Sequence, residues 1–242
     1  MILFYTNNIK GDIAELPQEE AMHCVKTLRK KVGDDIQFVD GQGNWYHGKI
    51  IGTGKKAVSI GIEKVISAHN QRNHYLHIAI APTKNINRFE WFLEKATEFG
   101  IDEITPLLCF HSERKTIRND RLEKVVVAAM KQSLKAYVPK VNPLTSFKDF
   151  LKSADIGESQ SESQKFIAHC QDDFLEEKVH LKNATNEGEK VTILIGPEGD
   201  FSSNEIESAL SQNFQPISLG KERLRTETAG LAACHIVNLV NS

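Results

Sequence analysis

Alternating apolar and polar residues predict a small β-rich unit in the first 70 residues of the chain. Residues 35–40 and 45–51 alternate, and residues 41–44 between them have the composition of a turn. Residues 57–62 continue the pattern, while residues 18–28 have the spacing of a helix. Short strands separated by glycine-containing turns at this spacing predict a small barrel.

Beyond residue 74, apolar strands alternate with amphipathic helices, which predicts a parallel α/β sheet. The predicted strands are residues 76–82, 104–109, 165–170, 191–195 and 217–219. The predicted helices are residues 87–99, 120–137, 206–210 and 227–240. Gly100 is expected to end the first of these helices. We therefore expect two domains, 1–70 and 74–242, with a polar linker at 67–73 and a surface loop at 155–164.

Two strand-to-helix loops near the C-terminus are the candidates for a ligand site. One contains Gly196-Pro-Glu-Gly199, and Ser202 followed by Glu205 predicts a capping box that begins a helix. The other begins at Gly220 and is rich in Arg, Thr and Glu. Loops at the carboxyl ends of neighbouring parallel strands could clamp one small molecule. The alternative is an ordinary pair of connections, and neither loop has a Walker or GxGxxG fingerprint.

Charge and cysteine content exclude several classes of protein. The chain has 242 residues and a formal net charge of -2, so any contact with RNA must use local patches. Cys24, Cys109, Cys170 and Cys234 show no CxxC spacing, which argues against a zinc site or a disulfide scaffold. No run reaches the roughly 18 apolar residues of a membrane span, and no signal peptide is apparent. We expect a cytoplasmic protein without a metal.

Read together, the two loops resemble the signature of a known family. Residues 194–202 (Leu-Ile-Gly-Pro-Glu-Gly-Asp-Phe-Ser) and 219–229 (Leu-Gly-Lys-Glu-Arg-Leu-Arg-Thr-Glu-Thr-Ala) are similar to those of the RsmE family of SPOUT-class methyltransferases. The resemblance implies an S-adenosylmethionine-dependent enzyme that methylates N3 of a specific uridine in 16S ribosomal RNA of the small subunit. It also implies a SPOUT α/β domain with a deep trefoil knot, and a homodimer.

The N-terminal unit resembles the PUA-like, RNA-binding β-barrel of the same family. Residues 23–29 and 33–43 carry this resemblance. Within it, the cluster Arg29-Lys30-Lys31 has two interpretations. It is either a solvated helix end that complements the helix dipole or a set of phosphate contacts, and the resemblance favours RNA.

The resemblance assigns binding of the methyl donor to the ends of three strands. The positions are His169, Cys170, Ile195, Gly196, Glu198, Gly199, Leu219, Gly220, Leu224, Arg225 and Thr228. Arg225 and Glu198 are also the candidate catalytic residues. Arg225 could stabilise a uridine anion, or it could form an ion pair with Glu227 or Glu198. Glu198 could accept a hydrogen bond, or act as a base if burial raised its pKa. Alternatively, Cys170 is a buried apolar residue and His169 a satisfied polar one.

RNA contacts are expected where the family carries basic or polar side chains, although each position alone could be a plain surface charge. They are Arg29, Lys30, Lys84, Arg88, Arg114, Gln132 and Lys135. The chain departs from the family pattern twice. Asp200 replaces a second glycine, although Asp tolerates turn conformations, and Lys135 replaces an arginine and loses its bidentate geometry.

The chemistry that the resemblance implies sets three requirements. Uridine N3 carries a weakly acidic proton on the Watson–Crick edge, so the base must be unpaired or flipped, the donor held close and the proton removed. Two other functions remain open. One is methylation of another target, such as a ribose 2′-hydroxyl, and the other is a non-catalytic RNA-binding ribosome assembly factor. The substrate could be naked RNA or the assembled subunit.

Overall fold

The chain forms two compact units. The structure, a computed structural model, describes residues 2–54, 57–155, 163–171 and 178–242. Most of the loop predicted at 155–164 therefore lies outside the described residues. One unit contains Met1–Gln71 and Val127–Val138, and the other contains Arg72–Val126 and Pro139–Ser242. The predicted second domain thus includes a segment that belongs to the first unit.

The first unit is built on six strands and a short helix. They are β1 (Phe4–Tyr5), β2 (Ile9–Lys10), β3 (Ile13–Leu16), α1 (Gln18–Met22), β4 (Asp35–Val39), β5 (Trp45–Thr53) and β6 (Val58–Ile66). The strand order is β1-β4-β5-β6-β3-β2, with β1 parallel to β4 and the other pairings antiparallel. Thr6 donates its N–H to Val39 O at 3.1 Å and its hydroxyl to Glu15 O at 2.6 Å. The second bond connects the segment after β1 to β3, near the other end of the strand order, as in a barrel.

The alternation predicted for β4 and β5 buries one face of each strand. Phe38 and Tyr46 stack with ring centroids 4.7 Å apart, and Ile36 and Ile50 lie in the same core. The helix predicted at 18–28 begins where expected but changes type. After α1 the chain continues as a π-helical turn, His23–Thr27.

The second unit is a parallel α/β fold, as predicted. Its strands are β7 (Tyr75–Ile80), β8 (Glu103–Leu108), β9 (Lys140–Val141), β10 (Thr145–Ser146), β11 (Ser163–Ala168), β12 (Val179–His180), β13 (Lys190–Ile195) and β14 (Gln215–Ser218). Its helices are α2 (Ile86–Phe99), the first part of α3 (Asn119–Gln132), α4 (Phe147–Asp155), α5 (Leu181–Ala184), α6 (Ser203–Leu210) and α7 (Thr226–Val240). The strand order is β10-β8-β7-β13-β11-β14-β12, β9 also pairs with β8, and all these pairings are parallel.

The ends of two helices follow from local sequence chemistry. Gly100 ends α2 with a φ of 109°, a conformation that favours glycine. The capping box before α6 is present, because the Ser202 side chain accepts the Glu205 N–H and the Glu205 carboxylate accepts the Ser202 N–H. Both predictions are confirmed.

The helix predicted at 120–137 ends earlier than expected. α3 stops at Gln132, and Leu134 has a φ of 54°. The apolar spacing continues beyond the helix because the chain after it packs on the first unit. Ala136 and Met130 are buried there with Trp45, and Leu134 contacts the same cluster.

The last helix crosses back over the sheet. α7 follows β14 but packs on α2, β7 and β13. Gly230 permits this approach, because a Cβ atom there would lie 2.7 Å from both Ile80 Cδ1 and Phe92 Cε2. The trefoil knot stays a prediction. No helix among the described residues combines the length and apolar character needed to cross a membrane.

Candidate active site

Strand register places the ends of four strands side by side. Ile80 of β7 pairs with Ile195 of β13. Ile195 also pairs with Ala168 of β11, which pairs in turn with Ile217 of β14. The loops that follow these residues therefore leave the carboxyl edge of the sheet next to one another. Open parallel sheets bind their ligands at this edge.

Glu198 connects the loop after β13 to the loop after β7. Its Oε1 atom accepts the Lys84 N–H at 3.0 Å. Arg114 stabilises the same loop, because its Nε and Nη2 atoms donate to Thr83 O and Lys84 O at 3.0 and 2.6 Å. The Lys84 ammonium pairs with Glu113 at 2.8 Å. Glu198, Lys84 and Arg114 thus all contribute to the position of these loops.

Asp200 connects the loop after β13 to the loop after β11. Its Oδ2 atom accepts the Cys170 N–H at 2.7 Å, and its Oδ1 atom accepts the Phe201 N–H at 2.8 Å. The Asp200 carbonyl oxygen lies 3.1 Å from Nδ1 of His111, in the loop after β8. The residue has a φ of 63°, the left-handed conformation that Asp adopts more readily than most residues. Asp200 therefore retains the bend and adds hydrogen bonds that glycine lacks.

Three adjoining cavities lie at these loops. The first, of about 560 Å³, lies between the ends of β11 and β14. The second, of about 380 Å³, lies between the ends of β11 and β13 and the start of α7. The third, of about 580 Å³, lies between α2 and the start of α7. Arg223 and Leu224 line all three, so the cavities are contiguous.

The structure brings the predicted donor-binding residues together. Those that line the three cavities are His169, Cys170, Ile195, Gly196, Glu198, Leu219, Gly220, Leu224, Arg225 and Thr228. Gly199 instead packs against the loop after β8, where a Cβ atom would lie 3.0 Å from His111 Cβ. Cys170 is exposed, which excludes its interpretation as a buried apolar residue, whereas His169 is buried. Binding of a donor by these residues stays a prediction.

The walls of the first two cavities suit a small ligand that is partly apolar and partly charged. Gly220 has a φ of 131° and open space where a Cβ atom would be. A Cβ atom at Gly196 would meet the Phe201 ring at 3.1 Å. Leu224 provides apolar surface, and Asp200 provides a charged group. With volumes in the range of small-molecule sites, these cavities fit a donor such as S-adenosylmethionine.

Arg225 lies at the start of α7, where it lines the second and third cavities. Thr226, next in sequence, anchors the helix through a 3.1 Å hydrogen bond from its hydroxyl to Gly196 O. The buried Glu227 pairs with Arg88, with 3.8 Å between Oε1 and Nε. Among the described residues, no carboxylate pairs with the exposed Arg225. The ion-pair interpretation of Arg225 is therefore not supported.

The residues predicted to contact RNA are divided between the two units. Arg29, Lys30, Gln132 and Lys135 lie in the first unit, and Lys84, Arg88 and Arg114 lie in the second. Lys30 donates to Asp35 O at 2.8 Å. Within the second unit, Arg88 lines two of the cavities, while Arg114 binds loop carbonyls. RNA binding by all seven stays a prediction.

Several residues that line the cavities were not predicted from the sequence. The main ones are Ala168, Gln171, Lys178, Asp200, Ser218, Arg223 and Trp91. Lys178 donates to the carbonyl oxygens of His169 and Gln171, each at 3.0 Å. Asp200 and Arg223 lie within the two signature loops without having been assigned to the site, and no motif marks the other positions. Within the described ranges, no three His, Cys, Asp or Glu side chains gather as a metal site.

The fold, the cavities and the two matched domain families together define an RNA methyltransferase of the SPOUT class. A parallel sheet carries ligand-sized cavities at its carboxyl edge and is accompanied by a PUA-like unit. The RNA methyltransferase domain family matches residues 55–238, and the RNA methyltransferase PUA domain family matches residues 16–63. The chain belongs to this RNA methyltransferase family, and its resemblance to the RsmE family is confirmed.

Named relatives and solved structures cover the whole chain. Ribosomal RNA small subunit methyltransferase E of Mesomycoplasma hyopneumoniae is 30% identical over 237 residues, which is 96% of each chain. The protein of the same name from Rickettsia conorii is 28% identical over 231 residues, covering 94% of this chain and 90% of its own. A probable rRNA-methyltransferase from Porphyromonas gingivalis has a TM-score of 0.89 at 37% identity, covering 100% of this chain and 98% of its own.

A further solved structure contains a bound ligand. Ribosomal RNA small subunit methyltransferase E of Neisseria gonorrhoeae, bound to S-adenosyl methionine, has a TM-score of 0.79 at 25% identity. The alignment covers 100% of this chain and 98% of that protein. The similarity therefore includes both units.

Proposed function

We propose that this protein transfers a methyl group from S-adenosylmethionine to N3 of a specific uridine in 16S ribosomal RNA. The observation that carries the proposal is the set of contiguous cavities at the ends of β11, β13 and β14, with Arg225 exposed at their edge. The relatives named as small-subunit ribosomal RNA methyltransferases support the substrate. The neighbour bound to S-adenosyl methionine supports the donor.

The donor would occupy the first two cavities. Apolar Leu219 and Leu224 and the glycine backbone at Gly196 and Gly220 would hold the adenosine part. S-adenosylmethionine supplies, when bound, a methyl group on a positively charged sulfur. The hydrogen bond between Asp200 and Cys170 keeps the two loops at a fixed separation around this volume. A preorganised site loses less entropy when it aligns its reactants.

Arg225 would act on the uridine. Transfer of the N3 proton to solvent would leave an anion, and the guanidinium of Arg225, a residue that lines the second and third cavities, would stabilise its charge. The buried Glu227 at 3.8 Å from Arg88 keeps a second cation near the third cavity. Glu198 already accepts the Lys84 N–H through Oε1, so its Oε2 atom is the one that would accept a hydrogen bond from donor or uridine.

The RNA would reach this edge as part of the small ribosomal subunit. A net charge of -2 gives little general affinity for polyanions, so recognition must use local cations and the shape of the substrate. The basic residues of the PUA-like unit would contact the RNA backbone. A cytoplasmic homodimer is part of the proposal, since the apolar α7 offers surface for a second copy.

Small subunits from cells that lack this gene provide the test. They are incubated with the protein and methyl-labelled S-adenosylmethionine, and the digested RNA is analysed by mass spectrometry. We expect label in N3-methyluridine, and its loss in Arg225→Ala. Lys182→Ala serves as the matched control, because Lys182 is an exposed cation on α5 outside the cavities.

The other outcomes identify the other functions. Label in a ribose-methylated nucleoside would retain the enzyme class and reject the uridine target. If no label is transferred and calorimetry detects no donor binding, the protein is an RNA-binding assembly factor. If Arg225→Ala still places label in N3-methyluridine, the proposed function stands and only the proposed role of Arg225 is rejected.

A further inference from the structure

Phe110 has the largest exposed fraction among the large apolar side chains of the described residues, at 79%. It follows β8 at the carboxyl edge of the sheet. A single exposed apolar residue is ordinary in a soluble protein, so its exposure alone indicates nothing. Its surroundings, however, have the chemistry of a binding site.

Hydrogen bonds hold the turn that carries Phe110 in one conformation. The Cys109 N–H donates to Ser112 Oγ at 2.9 Å, and the Ser112 N–H donates to Cys109 O at 3.1 Å. The Phe110 N–H donates to Glu205 Oε1 at 2.8 Å. The aromatic ring is therefore presented to solvent on a fixed backbone. Binding to a fixed group costs less ordering entropy than binding to a mobile one.

A cavity of about 720 Å³ lies beside Phe110, between α4 and α6. Leu108, Phe147 and Leu151 give it apolar surface. Its hydroxyls already donate hydrogen bonds within the protein and remain available as acceptors, while its amides can both donate and accept. They belong to Ser146, Ser202, Asn204, Ser208, Ser211 and Gln212. Two lysines on α4, Lys148 and Lys152, also line it, together with Cys109 and Glu205.

Two lysines and one carboxylate line this cavity. Lys148 and Lys152 are exposed, and Lys152 lies 3.6 Å from Asp149. The carboxylate of Glu205 accepts hydrogen bonds from the N–H of Phe110 and from the N–H and hydroxyl of Ser202. These neutral donors hold the carboxylate against the protein without cancelling its charge. Lys148 and Lys152 are the cations of the lining that can meet a phosphate.

We propose that Phe110 and this cavity bind an unpaired nucleotide of the RNA substrate, separately from the uridine that is methylated. The base stacks on the Phe110 ring, the hydroxyls and amides contact its edge, and Lys148 or Lys152 contacts a phosphate. Stacking on aromatic side chains is the usual way in which proteins hold unpaired bases. The inference rests on the proposed function, because it identifies a second contact of the same substrate.

The position of the turn explains why such a contact would serve the reaction. His111, next to Phe110, packs on the loop that bounds the donor cavities. Its Nδ1 atom lies 3.1 Å from Asp200 O, and its Cβ atom lies 3.0 Å from the position of a Cβ on Gly199. A nucleotide that stacks on Phe110 would therefore restrain the RNA strand close to this loop, because the next amino acid, His111, contacts the loop.

The test compares Phe110→Ala with the wild type in methylation of small subunits. We expect the KM for subunits to rise about tenfold, within the range of a lost base–aromatic stack, with kcat and donor affinity unchanged. Phe110→Tyr keeps a ring and should restore the KM. Phe99→Ala is the matched control, since Phe99 is also exposed but lies at the end of α2, at the opposite edge of the sheet.

A second measurement does not depend on methyl transfer. The added fluorescence of Phe110→Trp should be quenched when small subunits bind, and Lys148→Gln should make the affinity less dependent on salt. Unchanged KM in Phe110→Ala together with unquenched fluorescence would overturn the proposal. If light scattering shows a different molar mass for Phe110→Ala, the surface around Phe110 contacts a second copy of the chain. That result would also overturn the proposal. If the wild type transfers no methyl group while quenching persists, the proposed function fails and the RNA contact stands.

Discussion

The backbone N–H of Cys170 donates a 2.7 Å hydrogen bond to Oδ2 of Asp200. The two residues follow neighbouring strands, β11 and β13, and both line the first two cavities. The bond therefore fixes the separation of two loops whose backbones bound the candidate donor site. It also explains how a side chain at a position where the resemblance predicts glycine is compatible with this site.

Substitution of Asp200 should weaken donor binding. Asp200→Ala removes both side-chain acceptors, and we expect a loss of about fivefold in S-adenosylmethionine affinity, as for one partly solvated hydrogen bond. Asp200→Asn retains an acceptor and tolerates the positive φ, so its affinity should stay within about twofold of the wild type. Isothermal titration calorimetry measures both.

The Asp200→Gly variant distinguishes the effect of backbone conformation on donor affinity from the effect of the lost hydrogen bonds. Glycine relieves the constraint of the 63° φ but lacks both acceptors. If the hydrogen bonds matter, Gly and Ala variants should lose affinity equally. Wild-type affinity in Asp200→Gly would show that the connection to Cys170 contributes nothing to donor binding.

Substitution of Arg225 should act on the chemical step. We expect Arg225→Ala to lower kcat by about 10²–10³-fold, the range for loss of one group that stabilises developing negative charge. Arg225→Lys keeps a positive charge with a different hydrogen-bonding geometry, so its kcat should lie between those of the wild type and Arg225→Ala. Single-turnover rates on small subunits give kcat, and calorimetry gives donor affinity as the control. A raised KM at unchanged kcat would instead indicate a binding role.

Gly230 should be sensitive to a single methyl group. In Gly230→Ala the new Cβ would lie 2.7 Å from Ile80 Cδ1 and Phe92 Cε2, and overpacking of this kind costs about 1–3 kcal/mol. Urea denaturation measures the loss. Gly52→Ala is the control, because the nearest atom to its Cβ would be Ser59 Cβ at 3.8 Å. Equal stability of the two variants would mean that α7 adjusts its position freely.

Glu103 should make the second unit sensitive to acid. Burial opposes its ionisation, but His77 and hydrogen bonds from Lys140, Asn142 and Tyr75 outweigh burial and lower its pKa from 4.5 to about 2. Because the folded-state pKa is depressed, the stabilisation is complete above pH 4.5 and is lost as the pH falls towards 2. After a discount for solvent screening at this half-buried carboxylate, the contribution to stability is about 1–2 kcal/mol.

Glu103→Gln provides the corresponding measurement. At pH 6 the wild type should be more stable than the variant by urea denaturation, and the difference should shrink as the pH falls from 4.5 to 3. A difference that stays constant over this range would contradict the shifted pKa of Glu103.

Local chemistry explains which parts of the fold the sequence predicted. The capping box at Ser202 and Glu205 and the glycine end at Gly100 depend on residues close in sequence, so their patterns indicate them directly. The two-residue strands β9, β10 and β12 went unpredicted because their pairing depends on the rest of the sheet. Leu134 has helical spacing but a φ of 54°, since packing on the first unit decides its conformation.

The sequence predicted those residues of the candidate site that lie in the two loops after β13 and β14. Glu198, Gly220 and Arg225 belong to these loops, and all three line the cavities. Asp200 was recognised as a departure from the family, but its bond to Cys170 depends on strand register. Phe110 carries no sequence signal, because exposure is a property of the folded chain alone.

Residues 127–138 have a consequence for how this protein can be divided. The first unit is discontinuous in the gene, since Met130 and Ala136 complete a cluster with Leu3, Val39 and Trp45. A recombination event with one breakpoint at the linker would leave that apolar face uncovered. The PUA-like unit of this chain could therefore be exchanged between proteins only together with the distant segment that covers it.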